Sequence, residues 1–115
     1  MAERAILSWV AAADGGRQAP PVALYSTAAR FEDDIENWPR EAWSVVVRPL
    51  RMFPGDRYQL AEVSFLADVA PANLLRRGSR FELLEGTRRV AKGVILGAAV
   101  QIPAEIDEFE SALIG

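Results

Sequence analysis

Residues 78–97, with the sequence GSRFELLEGTRRVAKGVILG, decide the fold. Phe81 and Leu83 are two residues apart and fall on one face of an extended chain, as in a strand with one buried face. A second apolar run, RVAKGVILG, follows the segment Glu85-Gly86-Thr87-Arg88, in which Gly86 supplies the backbone freedom that a tight turn needs. We therefore predict a β-hairpin that closes the fold, with Gly93 at a point of close packing.

Four other segments have the composition and alternation of strands. In the first of them, Ile6 points to one face, whereas Leu7 and Trp9 point to the other. Asp14-Gly15-Gly16 then marks a turn. The four segments are residues 4–13, 22–32, 43–50 and 57–67.

Breaks within and between these segments indicate a curled sheet. Pro49 is predicted to interrupt the third strand, residues 53–56 (FPGD) have the form of a type II turn, and a change of phase near residues 61–62 predicts a β-bulge. Six strands at short spacing predict an all-β fold, a six-stranded antiparallel barrel or a sandwich. The side chains assigned to its core are Val45, Val47, Val63, Phe65, Phe81, Leu83, Val94 and Leu96.

The end of the chain has a different pattern. Pro103 begins a run with acidic residues in its first turns, which is typical of a helix N-terminus. We expect residues 1–100 to form the barrel and residues 101–115 to form an acidic tail with a short helix. Such a helix either packs on the barrel or binds a partner, because it is too short to be stable alone. Its apolar stripe consists of Ile106, Phe109 and Leu113.

The composition narrows the functional classes. The chain has 115 residues, a net charge of −3, no cysteine and no histidine. The absence of cysteine and histidine excludes thiolate nucleophiles, histidine-based catalytic triads and the usual zinc ligands. The N-terminus lacks the features of a signal peptide, and the apolar runs are too short to span a membrane. We expect a cytoplasmic protein that is not an enzyme, has no cofactor or metal, and does not bind a membrane.

Basic side chains are concentrated late in the chain. Between Arg76 and Lys92 lie six basic and two acidic residues. A phosphate loop is excluded, because Ala91 stands where that motif needs glycine and the segment reads as a strand. RNA binding is an alternative, although the net negative charge and the lack of interleaved aromatic residues favour a solvated face. The residues assigned to RNA binding are Arg17, Arg76, Arg77, Arg88 and Arg89.

Three motifs in fixed order resemble the third, C-terminal domain of the translation elongation factor Tu family. Residues 14–17 (DGGR), followed by Tyr25 and Phe31, are similar to the family's EGGRHTPF…GYRPQFYF segment. Residues 53–56 resemble its M-P-G-D turn. Residues 78–94 resemble its G-L-R-F-A-I-R-E-G-G-R-T-V-G-A-G-V segment. The resemblance covers nearly the whole chain and implies a Greek-key barrel of six strands, as a stand-alone domain.

The same resemblance implies that only some of the family's tRNA-contacting residues are present in this chain. In the family, this barrel helps to hold the T-stem of aminoacyl-tRNA and packs against the GTPase domain and partner factors. Without a GTPase domain, GTP hydrolysis is not expected. Arg17 and Gly86 match positions at which the family contacts tRNA, but several other hydrogen-bond donors of that surface are replaced. The resemblance therefore implies that the barrel is retained and that most of its tRNA contacts are lost. The replaced positions are Gln18, Ser26, Ala28 and Leu84.

These observations favour a non-catalytic protein-interaction module, with a small RNA- or tRNA-binding protein as the alternative. The partner is expected to be another protein, such as a translation component or a second copy of the chain. Its contact surface is expected in the hairpin turn and the loop at residues 14–18, because loops on a rigid scaffold carry function. The residues assigned to this surface are Arg17, Gln18, Glu85, Gly86, Arg88 and Arg89.

Overall fold

Each segment predicted as a strand contains one in the computed structural model, which describes residues 2–40, 42–55 and 57–97. Three short 3₁₀ segments, Ala12–Asp14, Glu32–Asn37 and Ala72–Leu75, lie in the connections. The strands are β1 (Glu3–Trp9), β2 (Tyr25–Phe31), β3 (Trp43–Met52), β4 (Tyr58–Phe65), β5 (Arg80–Glu85) and β6 (Arg88–Ile95). β1, β2 and β4 are shorter than predicted, whereas β3 extends two residues further.

The strands close into a barrel in the order β1-β4-β3-β2-β5-β6, with β6 paired to β1 and every pair antiparallel. β2, β3 and β4 are neighbours in sequence and in space, and β1 lies on the far side of β4, which is a Greek-key arrangement. The all-β, six-stranded antiparallel barrel is therefore confirmed.

The connections are divided between the two ends of this barrel. Loops 10–24 and 53–57 and the turn at 86–87 lie at one end, which we call the hairpin end. Loops 32–42 and 66–79 lie at the opposite end. The antiparallel order fixes this division, because every strand runs from one end to the other.

Alternate side chains of the strands fill the barrel interior. Leu7 and Trp9 belong to the interior cluster and Ile6 to a separate one, as the alternation in β1 predicted. A Cβ atom at Gly93 would lie 2.6 Å from Cζ of Phe81 and 2.8 Å from Cδ2 of Leu7, which confirms close packing at this glycine. The predicted core residues found in the interior are Val45, Val47, Val63, Phe81 and Leu83, with Phe65 half-buried against them.

A second apolar cluster lies on the outer face of β4, β1 and β6. Ile6 is opposite Leu60 in the β1–β4 register and opposite Val94 in the β1–β6 register, and all three are buried. Val94 is therefore buried as predicted, but in this outer cluster and not in the barrel interior, whereas Leu96 only packs against the cluster, which corrects the prediction for Leu96. Leu96 is half-buried at the edge of the cluster, and Phe53 and Tyr58 complete it.

The alternation of apolar residues in β4 changes phase because both faces of the strand are buried, and not because that strand contains a bulge. Leu60 packs in the outer cluster, whereas Ala61 and Val63 pack in the interior. The bulge was predicted at residues 61–62 of β4, and this position is wrong. The register shifts instead between Pro49 and Arg51 of β3. The predicted interruption at Pro49 coincides with this shift in register, but the strand does not end there. β3 continues past it, since a bulge tolerates a residue without an N–H donor.

Two glycines at the hairpin end have the backbone freedom that their turns were predicted to need. Gly86 has a φ of 64° and Gly55 a φ of 97°, which residues with a Cβ rarely adopt. The predicted helix after Pro103, and the boundary between residues 100 and 101, lie outside the described residues. In the described part of the chain, no helix has the length and apolar character to cross a membrane.

Candidate functional site

The loop that carries Arg17 leaves β1 at the hairpin end and folds back on itself. Gly15, with a φ of 95°, follows the 3₁₀ segment Ala12–Asp14. The N–H of Gly16 donates to the carbonyl of Ala11 at 3.0 Å, and a Cβ at Gly16 would lie 1.9 Å from the carbonyl oxygen of Val10. Glycine is therefore required at position 16 for the loop to return toward the barrel and place Arg17 there.

Glu85, the last residue of β5, holds two arginines and a tyrosine. Its Oε2 accepts hydrogen bonds from Nη1 of Arg17, at 2.6 Å, and from the hydroxyl of Tyr25. Its Oε1 accepts from Nη2 of Arg88 at 3.0 Å. The Arg17 guanidinium also lies over the Tyr25 ring, with Cζ 4.7 Å from the centroid, within the range of a cation–π contact. We call Glu85, Arg17, Tyr25 and Arg88 the Glu85 cluster.

The protonation states of this cluster follow from its hydrogen bonds. Those from Tyr25 and Arg17 lower the pKa of Glu85, although its partial burial opposes them. The bond to Glu85 is the main cause that raises the pKa of Arg17. Burial, reinforced by the Glu85 carboxylate, raises the pKa of the Tyr25 hydroxyl. At neutral pH Glu85 is therefore a carboxylate, Arg17 a guanidinium ion and Tyr25 a protonated phenol.

A second glutamate of β5 organises the neighbouring charges. Oε1 of Glu82 accepts from Arg30, with Nε at 2.9 Å, and Oε2 accepts from Nη1 of Arg89 at 3.0 Å. Burial raises the pKa of Glu82, but the bonds from Arg30 and Arg89 outweigh it, and the net shift is downward. Arg89, assigned from the sequence to the same surface as Arg88, is thus held by a different carboxylate.

The remaining predicted residues separate into two groups. Gln18 and Gly86 are exposed at the hairpin end, beside the Glu85 cluster. Arg76 and Arg77 lie at the opposite end, where Nη2 of Arg76 bonds Oδ2 of Asp33 at 2.8 Å. The six residues of β5 separate the two ends by about 20 Å. The five arginines assigned to RNA binding therefore do not form one continuous face.

Two exposed apolar side chains lie in the segment that leads into Tyr25 of the Glu85 cluster. Val22 is 93% exposed and Leu24 is 69% exposed, because β2 begins only at Tyr25. Val22 lines a surface groove of about 480 Å³ together with Arg17, Glu85 and Arg88. The sequence prediction missed both because it started the strand at residue 22. Pro20-Pro21 is the signal that could have revealed an extended loop there.

A buried glutamine ties this loop to the barrel. Gln59 of β4 is 2% exposed. Its Oε1 accepts a hydrogen bond from the Trp9 indole at 3.1 Å, and its Nε2 donates to the carbonyl of Pro21 at 2.9 Å. The loop that carries Arg17 and Val22 is thus anchored at the end of β1 and again just before Val22.

The described residues contain no group of three or more carboxylates placed to hold a metal ion. No protein-family model matches the chain, and no curated protein matches it either. The resemblance to the elongation factor Tu family therefore rests on the three motifs alone and stays a prediction.

Proposed function

We propose that the chain is a non-catalytic protein-interaction module whose barrel is similar to the C-terminal domain of the elongation factor Tu family. One observation carries the proposal: the exposed Val22 lines a groove with Arg17 and Arg88, which Glu85 holds in place, and the exposed Leu24 directly precedes Tyr25 of the same cluster. Protein interfaces combine apolar contacts with a polar rim, and arginine is enriched in them. The hairpin end offers this combination.

The order within the Glu85 cluster favours binding. Arg17 is held by Glu85 on one side and by the Tyr25 ring on the other. A side chain that is already fixed loses less conformational entropy when a partner binds. The loop backbone is likewise fixed, because Gln59 bonds the carbonyl of Pro21. The surface is therefore preorganised for recognition.

The distribution of the arginines favours a protein over RNA. Arg17, Arg88 and Arg89 each bond a glutamate, so a phosphate would compete with an existing partner. Arg76 and Arg77 lie at the opposite end of the barrel. A nucleic acid that uses both groups would have to follow the length of β5 across Glu82 and Glu85, whose carboxylates repel phosphate.

Affinity capture with charge-introducing variants tests the proposal. The bait is the full chain, and the lysate comes from cells that encode it, with and without nuclease. Val22→Glu/Leu24→Glu should lose the captured protein, because carboxylates replace the apolar contacts. The matched control is Leu66→Glu/Val69→Glu, which alters side chains that are 63% and 84% exposed at the opposite end. It should retain the captured protein.

Two results would contradict the proposal. A partner that the Val22/Leu24 variant captures as well as the unchanged chain does not use this surface. A partner that disappears on nuclease treatment is held through nucleic acid, and the RNA-binding alternative would then replace the proposal. Circular dichroism of each variant shows whether the barrel is intact.

A further inference from the structure

A second groove at the hairpin end adjoins the proposed surface. It has a volume of about 760 Å³, and Arg17 and Gln18 line both grooves. Its position follows from backbone pairing: the N–H of Trp9 donates to the carbonyl of Arg57 at 2.9 Å, and the N–H of Val10 donates to that of Val90 at 2.9 Å. The end of β1 thus lies between the β4 and β6 sides of the groove.

The charge of this groove is positive although the chain is acidic overall. Its described lining contains four cationic side chains and one carboxylate, that of Asp14. The net charge of the chain is −3, so cations are gathered here against the overall balance. The four cationic residues are Arg17, Arg57, Arg89 and Lys92.

Two of these cations have no carboxylate partner in the part of the chain that the structure describes. Lys92 is directly opposite Glu82 in the β5–β6 register, but the oxygens of Glu82 already bond Arg30 and Arg89. Arg57 is exposed, with Cζ 5.3 Å from the centroid of the Tyr58 ring. Both side chains are therefore available to an anionic ligand.

The remaining lining suits a polypeptide better than a nucleic acid. Val10 and Pro20 contribute apolar surface. Trp9 is only 5% exposed and Tyr25 lies under Arg17, so neither ring offers an open face on which a base could stack. Carboxylate side chains on an extended chain can reach cations on the β4 and β6 sides while the backbone follows the apolar lining.

We propose that this groove binds an acidic, extended segment of the protein partner, through Arg57 and Lys92. The inference rests on the proposed function and adds the chemistry of the partner. Arg17 belongs to both grooves, so one partner can contact Val22 and Leu24 and place its acidic segment in the second groove.

Fluorescence anisotropy with defined probes tests this assignment on the full chain. The probes are a labelled ten-residue peptide rich in Glu with interspersed Leu, the same peptide with Gln for Glu, and a labelled ten-nucleotide oligouridylate. Arg57→Gln/Lys92→Gln should weaken binding of the acidic peptide by about tenfold, because two ion pairs are lost. The matched control, Arg48→Gln/Arg76→Gln, removes the same charge elsewhere and should change the affinity by less than about twofold.

Every other result overturns the inference. The groove is not an acidic-peptide site if the acidic peptide fails to bind, if the Gln peptide binds equally well, or if both double variants weaken binding equally. Tighter binding of the oligouridylate assigns the groove to nucleic acid. Failure of the proposed function is distinguishable, because it appears as unchanged capture by Val22→Glu/Leu24→Glu while Arg57 and Lys92 still bind the acidic peptide.

Discussion

Gln59 accepts the indole hydrogen bond of Trp9 inside the mouth of the barrel, with Oε1 3.1 Å from Nε1. The same amide donates to the carbonyl of Pro21, so one buried side chain holds both ends of the loop that carries Arg17. Gln59→Leu should lower the free energy of unfolding by about 1–3 kcal/mol, because it leaves buried polar groups unsatisfied. Urea denaturation followed by tryptophan fluorescence measures the loss.

A double-mutant cycle provides the control for Gln59. Trp9→Phe removes the donor, and the combined Gln59→Leu/Trp9→Phe variant removes both partners of that bond. Its loss should be smaller than the sum of the two single losses, because the orphaned donor is then absent. Strictly additive losses would show that the bond does not couple the two residues.

The Glu85 cluster makes the stability of the fold depend on pH in the acidic range. The pKa of Glu85 is lowered from its usual 4.5, first by the bond from Tyr25 and then by that from Arg17. A carboxylate with a lowered pKa in the folded state stabilises the fold above its unfolded pKa, and this contribution is lost as the pH falls through the folded pKa. Glu85→Gln should therefore lower the melting temperature at pH 7 and make its decline below about pH 4.5 shallower.

Glu62→Gln is the matched control for this experiment. Its carboxylate bonds one arginine, Arg48, at 2.9 Å on the outer surface of β3 and β4. Melting curves from pH 7 to pH 3 should retain the acid-side decline in this variant. An unchanged decline in Glu85→Gln would show that the cluster does not contribute to acid stability.

Gly93 fixes the space available to two core side chains. Gly93→Ala should destabilise the barrel by about 1–3 kcal/mol, because the new methyl group overlaps Phe81 and Leu7. Combining it with Phe81→Leu should cost less than the sum of the single changes, since Phe81→Leu removes the nearest ring atoms. Equilibrium denaturation of the three variants gives the coupling, and a neutral Gly93→Ala would contradict the packing.

Phe81 is a buried aromatic residue of the interior cluster. It is 2% exposed and packs against Phe31, with the ring centroids 5.4 Å apart. Phe81→Ala should lower the free energy of unfolding by about 3–5 kcal/mol, because it removes buried contacts and leaves a cavity. Leu24→Ala, at a side chain that is 69% exposed, is the control and should be close to neutral in the same denaturation experiment.

Local patterns were sufficient to predict the strands and turns. The period of two in β1 and β5 separated Ile6 from Leu7 and put Phe81 beside Leu83, because alternation depends only on neighbouring residues. For β4, the same alternation led to the wrong prediction of a bulge at residues 61–62. There Leu60 and Val63 face two different apolar clusters, and an alternating pattern cannot distinguish burial on both faces from a slip in register.

The candidate site depended on contacts that a single sequence does not reveal. Tyr25 and Glu85 meet because β2 pairs with β5 across the barrel, in a register that sets Ala28 opposite Leu84. The motif comparison selected Arg17, Glu85 and Arg88, but it did not show that one carboxylate joins the two arginines. Gln59 carried no signal at all, because its partners are distant in sequence and are identified only once the strand order is known.

The strand order also governs how the chain can fold. β1 pairs only with β4 and β6, so its hydrogen-bonding edges have no partner until the second half of the chain is present. Such non-local pairing delays folding through the entropy of loop closure, and refolding times of milliseconds to seconds are expected. During synthesis the apolar residues of β1 emerge before the strands that enclose them. A nascent chain that stops before β6 should therefore remain sensitive to protease, and completion of β6 should make it resistant.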